Sequence, residues 1–389
     1  MTIHRHIHII GKVKNIELSE IYWAMSLKTM ALSFVGLFVP IYLYNLGYTP
    51  FTIFLYYGMV FFFKGIAEEF FARLIIKIGP KHGFIYSFPM LLAYLFMILT
   101  LPDYKWNIFL LAFISGSGLA LSWLSYHIDF SKARKNDKSS RSLSQIQALL
   151  TIAGAVAPFI GGFIATRFGM DKALLLSIFT LILAAIPLLK TREPHIASKI
   201  NMKKIDIKKI KGDMIGSVGL SLNNSALYEI WPFFIFLVVG TYEIVGSLES
   251  IALLLTVFTT IYLGRKINKD NRHKMLNRGA EINGSLFLIR SAAQSVFHIF
   301  FLNLAQSVFA PFLRIPFFSE LYMHTDEESR IEYLLMTERS MDYGRMFMFM
   351  FLAAVSLIAT LKITLIVGIL LGGIGSLLTG YIRPAKDEV

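Results

Sequence analysis

Long runs of apolar residues, separated by short polar stretches, dominate the chain. They lie at roughly 19–45, 50–76, 83–101, 106–128, 143–168 and 171–189, and again at roughly 213–240, 243–263, 275–292, 294–323, 333–361 and 363–382. A helix of about 20 apolar residues crosses the roughly 30 Å of hydrocarbon in a bilayer, and each run meets that length. Strands of a membrane barrel would instead alternate apolar and polar residues over about 10 positions, so continuous runs predict helices. The predicted fold class is an all-α membrane protein with about twelve transmembrane helices.

Composition agrees with the pattern. Only 16% of the 389 residues are charged and mean hydropathy is +0.60, against about 25% charged in an average soluble domain. Twelve spans with short connections use up the length and leave little for a soluble domain. The absence of cysteine excludes disulfides, thiolate metal ligands and nucleophilic thiols. The N-terminal stretch from Met1 is polar and basic through Lys14 and leads into a long span without a small-residue cleavage site, so no signal peptide is expected.

The net charge of +13 raises nucleic acid as a partner, but the basic residues are confined to alternate loops. Arg5, Lys12 and Lys14 are followed by Lys77 and Lys81, then Lys132 to Arg141, Lys190 to Lys211, and Arg265 to Arg278, while the intervening loops carry little beyond Lys105, Arg167, Lys172 and Lys362. Basic loops stay in the cytoplasm, which predicts a multi-pass protein of the plasma membrane with both termini cytoplasmic. Anionic lipid is then the expected partner of the basic loops, and nucleic acid is not. The expected domains are a tail at 1–18, a six-helix bundle at 19–190, a basic linker at 191–212, a second bundle at 213–382 and a tail at 383–389. Within the linker, Ile200, Ile205, Ile207 and Ile210 interleave with Lys203, Lys204, Lys208 and Lys209. Two readings stay open: a segment lying on the leaflet, or a solvated connector.

An internal repeat joins the halves. Pro40 and Ala72 are 32 residues apart, as are Pro232 and Gly264, and an offset of 192 also takes Lys77 to Lys269, Gly79 to Asn271 and Lys81 to His273. Such repeats are common in secondary transporters.

At these residues the sequence resembles the major facilitator superfamily. The first span ends Val39-Pro40-Ile41-Tyr42-Leu43-Tyr44-Asn45-Leu46-Gly47, similar to the proline-to-glycine exit of that family's first helix. The family's loop after the second span, Gly-x-x-x-Asp-Arg/Lys-x-Gly-Arg/Lys-Arg/Lys, corresponds here to Ala72-x-x-x-Ile76-Lys77-x-Gly79-Pro80-Lys81 and, in the second half, to Gly264-x-x-x-Asn268-Lys269-x-Asn271-Arg272-His273. Both copies lack the acidic residue. The fifth span carries Ala153-x-x-x-Ala157-Pro158-x-x-Gly161-Gly162, similar to the pattern on this helix in the family's antiporters, with alanine at two glycine positions. The resemblance implies two pseudo-symmetric six-helix bundles, alternating access, and a cavity lined by the first, fourth, seventh and tenth helices.

Each of those four helices has a polar stripe at helical spacing. The first offers Ser26, Thr29 and Ser33, and the fourth Ser115, Ser122, Tyr126 and Asp129; the seventh offers Ser217, Ser221, Asn224, Tyr228 and Glu229, and the tenth Asn303, Gln306 and Arg314. Any single hydroxyl can also bond its own helix or glue two helices together. Ionisable groups inside a bilayer are functional candidates by default. Glu229, three residues before Pro232, is the candidate for proton coupling or cation recognition, with a static ion pair as the competing reading. Arg314 could meet an anionic solute or pair with Glu320 or Asp129. Lys28 points away from its own helix's serines and is read as snorkelling to the surface.

Lys64 and Glu68 form an i, i+4 pair on the second span, and Glu338, Asp342 and Arg345 share a face of the eleventh. The resemblance brings these two helices together across the halves, which implies a cytoplasmic latch that includes Arg73 or Lys77. Lys269 and Arg272 of the second loop complete the gate candidates. A secondary transporter of a small solute is the expected function, proton-coupled and leaning to export of amphipathic compounds, with import of a sugar, peptide or organic acid as the alternative. It is expected to act as a monomer and without a cofactor, since no nucleotide-binding loop occurs and the histidines lack accompanying metal ligands. A different class, a lipid-modifying membrane enzyme, would rest on His127 and Asp129; a non-transporting relative is the third option.

Overall fold

The computed structural model describes residues 16–133, 139–189, 205–268, 270–327 and 329–385. The first half contains α1 (Ile16–Ser33), continued through a 3-10 turn (Gly36–Phe38) by α2 (Val39–Asn45). It goes on with α3 (Pro50–Ile78), α4 (Pro80–Leu99), the single turn α5 (Leu101–Tyr104), α6 (Ile108–Ala133), α7 (Ser139–Phe168) and α8 (Met170–Ala185). The second half contains α9 (Ile207–Ser225), continued through a π-helical turn (Ala226–Ile230) by α10 (Trp231–Val239). It goes on with α11 (Tyr242–Lys266), α12 (Arg272–Ser291), α13 (Val296–Glu327), α14 (Arg330–Ser356) and α15 (Leu361–Leu378). No strand occurs among the described residues.

Nine helical segments among the described residues are long and apolar enough to cross a membrane. The other three long helices, α3, α12 and α14, have 29, 20 and 27 residues, so length is no obstacle at 1.5 Å rise per residue. They fall short in apolarity because they carry charges. Taking α1 with α2 and α9 with α10 as single broken spans, each half supplies six crossings. Large apolar side chains such as Phe70, Phe179, Phe258, Phe297 and Phe347 are exposed on the outside, while lysine, glutamate and arginine side chains lie inside. That inverted distribution is what a lipid solvent selects, and the chain is a multi-pass membrane protein.

The repeat is visible in the helix boundaries. The first residues of α3 and α11, Pro50 and Tyr242, are 192 apart; so are those of α4 and α12, Pro80 and Arg272, and the last residues of the latter pair, Leu99 and Ser291. Chemistry repeats with position. Thr49 caps α3 by accepting from Thr52 N at 3.3 Å, and Thr241 caps α11 by accepting from Ile244 N at 3.4 Å, each satisfying an orphan donor of the first turn. The first span of each half breaks just before its proline, Pro40 or Pro232, which lacks the N–H an unbroken helix would need. Between α3 and α4 the chain reverses on Gly79 at φ +91°, a conformation open to glycine and costly for residues with a Cβ.

Two helix pairs join the halves: α3 lies along α14, and α7 along α11. The second seam depends on small residues. A Cβ on Gly162 would run into the Tyr242 carbonyl, one on Gly246 into the Pro158 carbonyl, and one on Gly161 into the Phe34 carbonyl of the first span. Gly161 and Gly162 of the fifth-span pattern therefore have a packing cause, whatever the direction of transport.

Two boundaries differ from the sequence reading. α1 begins at Ile16 and α9 at Ile207, so the helix takes up part of the segment expected as linker to residue 212. Asp206 caps α9 by accepting from Lys208 N at 2.9 Å, which fixes the start. The segment expected as a tail begins bound: Arg383 Nε donates to the buried Asp213 Oδ2 at 2.8 Å, and Ala385 N to Glu320 Oε2 at 2.9 Å.

Gly246→Val should force α11 off α7, lowering the detergent-solubilised melting temperature and yield. Gly36→Ala, whose added methyl meets nothing within 4 Å, should leave both unchanged in the same thermal assay.

Candidate functional site

The charges that keep α3 and α14 from reading as apolar spans meet at their common seam. Lys64 is the fifteenth of the 29 residues of α3, the middle of the helix. Its Nζ lies 2.7 Å from Asp342, 3.2 Å from Glu68 and 3.4 Å from Glu338, and all four side chains are buried. Asp342 and Glu338 belong to α14, so one ammonium is shared between the halves. Glu68 and Asp342 are thus held on the same ammonium from opposite halves, and each acts electrostatically on the other.

A buried lysine inside lipid needs a counter-charge, and here three compete for it. Two further basic side chains lie beside these carboxyl groups. His127 on α6 sits with Nε2 3.2 Å from Glu338 Oε1, and its Nδ1 is 2.6 Å from the hydroxyl of Tyr322 on α13. Arg345, on α14, stacks its guanidinium 4.9 Å above the ring of Phe61 and acts electrostatically on both Glu338 and Glu229.

Glu229 falls in the π-helical turn, where the break before Pro232 sets it off from the regular helix. Its Oε2 has no hydrogen-bond partner among the described residues. Next to it, Tyr228 accepts a hydrogen bond from Arg314, whose guanidinium lies 5.4 Å from the same ring. Asn224 Oδ1, Ser26 Oγ, Gln306 Oε1 and Arg345 Nε are likewise buried and unpartnered among the described residues. Unsatisfied polar atoms are costly in a dry interior, and a polar solute would satisfy them.

Other sequence candidates have different company. Thr29 and Ser33 face Gly154 of α7 and form part of a helix seam. Ser122 accepts from Lys28 at 2.6 Å. Tyr126 packs edge-on to Trp123 and His127, at 5.9 and 5.2 Å. Asn303 belongs to a network inside the second half: its Oδ1 accepts from Trp231 Nε1 at 2.7 Å and Arg290 at 3.1 Å, and its Nδ2 donates to Glu249 at 3.1 Å. Gln306 donates to Asn283 at 2.5 Å.

The gate candidates divide in the same way. Lys64, Glu68, Glu338 and Asp342 assemble, with Arg345 beside them. Arg73 does not join: it pairs with the exposed Glu69 at 2.7 Å, and Glu69 in turn meets Arg339 of α14 at 3.2 Å. Lys77 is exposed at the end of α3. Arg272 pairs at 2.8 Å with Glu320, both in the second half, so it braces one bundle and leaves Arg314 without that partner. Lys269 and the side chain of Asp129 lie outside the described residues. The gate candidates that assemble across the halves therefore lie at mid-helix depth and not in the loops.

The halves touch towards both ends of the molecule. On the face carrying the α1–α2 exit, Asn45 Nδ2 donates to Tyr242 OH at 2.8 Å, and Arg167 lies 3.6 Å from Glu243. Towards the opposite, basic face, Tyr322 reaches His127 and Arg339 reaches Glu69.

No family model and no curated protein matches the chain. Solved structures do. FucP, a Major Facilitator Superfamily transporter in its outward conformation, aligns with TM-score 0.65 over 92% of this chain and 97% of its own, at 13% identity. The human organic anion transporter MFSD10 (TETRAN) aligns with TM-score 0.67 over 95% and 100%, at 11% identity. The nucleoside transporter NupG aligns with TM-score 0.66 over 94% and 98%, at 13% identity. The chain has the major facilitator fold.

Within that fold, three ionisable groups were misread or passed over in the sequence. Lys28 does not snorkel: it is 2% exposed and hydrogen-bonded to Ser122 of α6. Arg290, at the end of an apolar run, is 2% exposed under the rings of Trp231 and Phe287. Glu249 lies seven residues into α11. An ionisable residue in an apolar run is the signal that would have found all three. His127, set against Asp129 in the enzyme reading, is committed to Tyr322 and Glu338.

Lys64→Met leaves three buried carboxylates without their cation and should cost roughly 3–5 kcal/mol, read as a fall in detergent melting temperature. Adding Asp342→Asn to that variant should recover part of the loss, a coupling that two independent sites would not show.

Proposed function

We propose that the chain is a secondary transporter that moves a small solute by rocking its two six-helix bundles about a central site, with protons as the coupling ion. The observation that carries this reading is the buried cluster of Lys64, Glu68, Glu338 and Asp342, drawn from both halves. A structural ion pair would need one carboxylate, whereas three carboxylates around one ammonium leave a surplus of negative charge, a site that can take up a proton and whose charge changes when that proton leaves. With the proton present, Glu68 and Asp342 attract across the seam; without it, two like charges face each other in a low-dielectric setting and favour separation.

Glu229 is the second acidic site on this reading. Arg345 acts on both Glu229 and Glu338, so a proton or a cationic group on Glu229 shifts Arg345 towards Glu338 and competes with Lys64 there. The solute region lies between the cluster and the unpartnered atoms of Ser26, Asn224, Glu229 and Gln306. Ser122, Tyr126, Tyr228, Asn303 and Arg314 form its surroundings.

On this reading the linker and both termini face the cytoplasm, the basic loops meet anionic lipid of a plasma membrane, and the chain acts as a monomer. Net flux follows the summed proton and solute gradients, since alternating access is reversible. A ligand found by thermal-shift screening would be tested in proteoliposomes holding a pH-sensitive dye.

Solute addition should drive proton movement in the wild type, and Asp342→Asn and Glu229→Gln should each uncouple it, leaving at most pH-independent solute exchange. Solute flux of equal pH dependence in wild type and both variants would rule the coupling out; absence of flux under every gradient would rule out the transporter.

A further inference from the structure

Lys28 and Lys64 face the same buried region in opposite circumstances. Lys64 has three carboxylates within 3.4 Å. Lys28 is just as deeply buried, yet no carboxylate pairs with it among the described residues, and the charge acting on it is another cation, Lys64. Its Nζ donates to Ser122 Oγ at 2.6 Å and approaches Met25 Sδ at 4.0 Å. An ammonium carries three donors, and a hydroxyl plus a distant thioether leave it under-satisfied. What surrounds the rest is aromatic: the ring of Trp123 lies 5.0 Å away and that of Phe84 5.5 Å away. Aromatic faces hold a cation loosely and cannot replace an anion.

The surroundings of that site point to a ligand as well as to a charge. Trp123, half-buried on α6, presents one wall to Lys28 and stacks on His127 at 5.7 Å with 25° between the planes. His127 is the residue of the first half that touches both Tyr322 and Glu338 of the second. A group bound at Lys28 would therefore press on a ring in direct contact with the inter-half cluster. A purely structural lysine between α1 and α6 needs no such connection.

We propose that Lys28 is the recognition point for the carboxylate of an amphipathic organic acid, with the ring or chain of that acid against Trp123 and Phe84. This names a solute class for the transporter reading above and rests on it. The carboxylate supplies the missing acceptor and cancels the charge, while the apolar walls reject fully hydrated inorganic anions. Ser122 orients the ammonium, so it serves as a positioning residue.

The test uses the full chain in detergent and measures thermal unfolding with benzoate, cyclohexanecarboxylate and 1-naphthoate, each against its uncharged primary amide. At least one acid should stabilise the wild type where its amide does not. Lys28→Met and Lys28→Gln should weaken that binding by about tenfold or more, as removal of a buried charge partner does, and Lys28→Arg should retain most of it. Equal shifts for acid and amide in every pair, or an undiminished acid shift in Lys28→Gln, would overturn the proposal. If neither neutral variant folds, the acid-against-amide comparison in the wild type still decides. Acids that fail to bind while another solute drives proton flux in vesicles would remove this inference and leave the transporter reading in place. Binding without flux under any gradient would do the reverse.

Discussion

A single buried ammonium shared by three carboxylates holds the two halves of this molecule in register. In water such a cluster would be worth little, because exposed ion pairs are screened. Inside a bilayer the alternatives are poor: a charged side chain left unpaired at mid-depth costs several kcal/mol, so Lys64, Glu68, Glu338 and Asp342 have nowhere else to go. The same constraint explains why α3 and α14, the helices that carry them, lie against each other and do not face lipid.

The two seams that join the halves differ in kind. Along α7 and α11 the halves meet through backbone and glycine, at Gly162 against Tyr242 and Gly246 against Pro158, which gives a smooth surface with few directional bonds. Along α3 and α14 they meet through charge and aromatic stacking, with Phe349 parallel to both Tyr57 and Phe61. One seam is smooth and the other is charged. The broken spans interrupt regular helix near the centre, before Pro40 and before Pro232, and set Glu229 in a π-helical turn.

Much of the fold was legible because lipid imposes a simple rule on sequence. Apolar runs marked every span, including the three weakened by charge, and the offset of 192 between Pro40 and Pro232 carried over to helix starts and caps. The site was legible only where its residues lie on one helix. Lys64 with Glu68, and Glu338 with Asp342, follow from i, i+4 spacing. What binds Lys28 comes from α4 and α6, so its own helical wheel pointed the wrong way. Arg290 stood at the margin of a run, where an arginine normally reaches the headgroups, and Trp231 covering it comes from 59 positions earlier in the chain. The start of α9 was obscured because alternating isoleucine and lysine suits a surface-lying segment and a helix entering the membrane equally well.

The central claim is that the halves move as two bodies about the Lys64 cluster, and distances between spin labels measure this directly. The chain has no cysteine, so label pairs can be introduced cleanly at Lys77→Cys with Lys266→Cys on the basic face, and at Tyr104→Cys with Ile358→Cys on the other. All four positions are exposed. Between acid and alkaline proteoliposomes, one pair should lengthen while the other shortens, and Asp342→Asn should freeze both. Distance distributions that stay fixed across pH at both faces, or that widen together, would contradict the account.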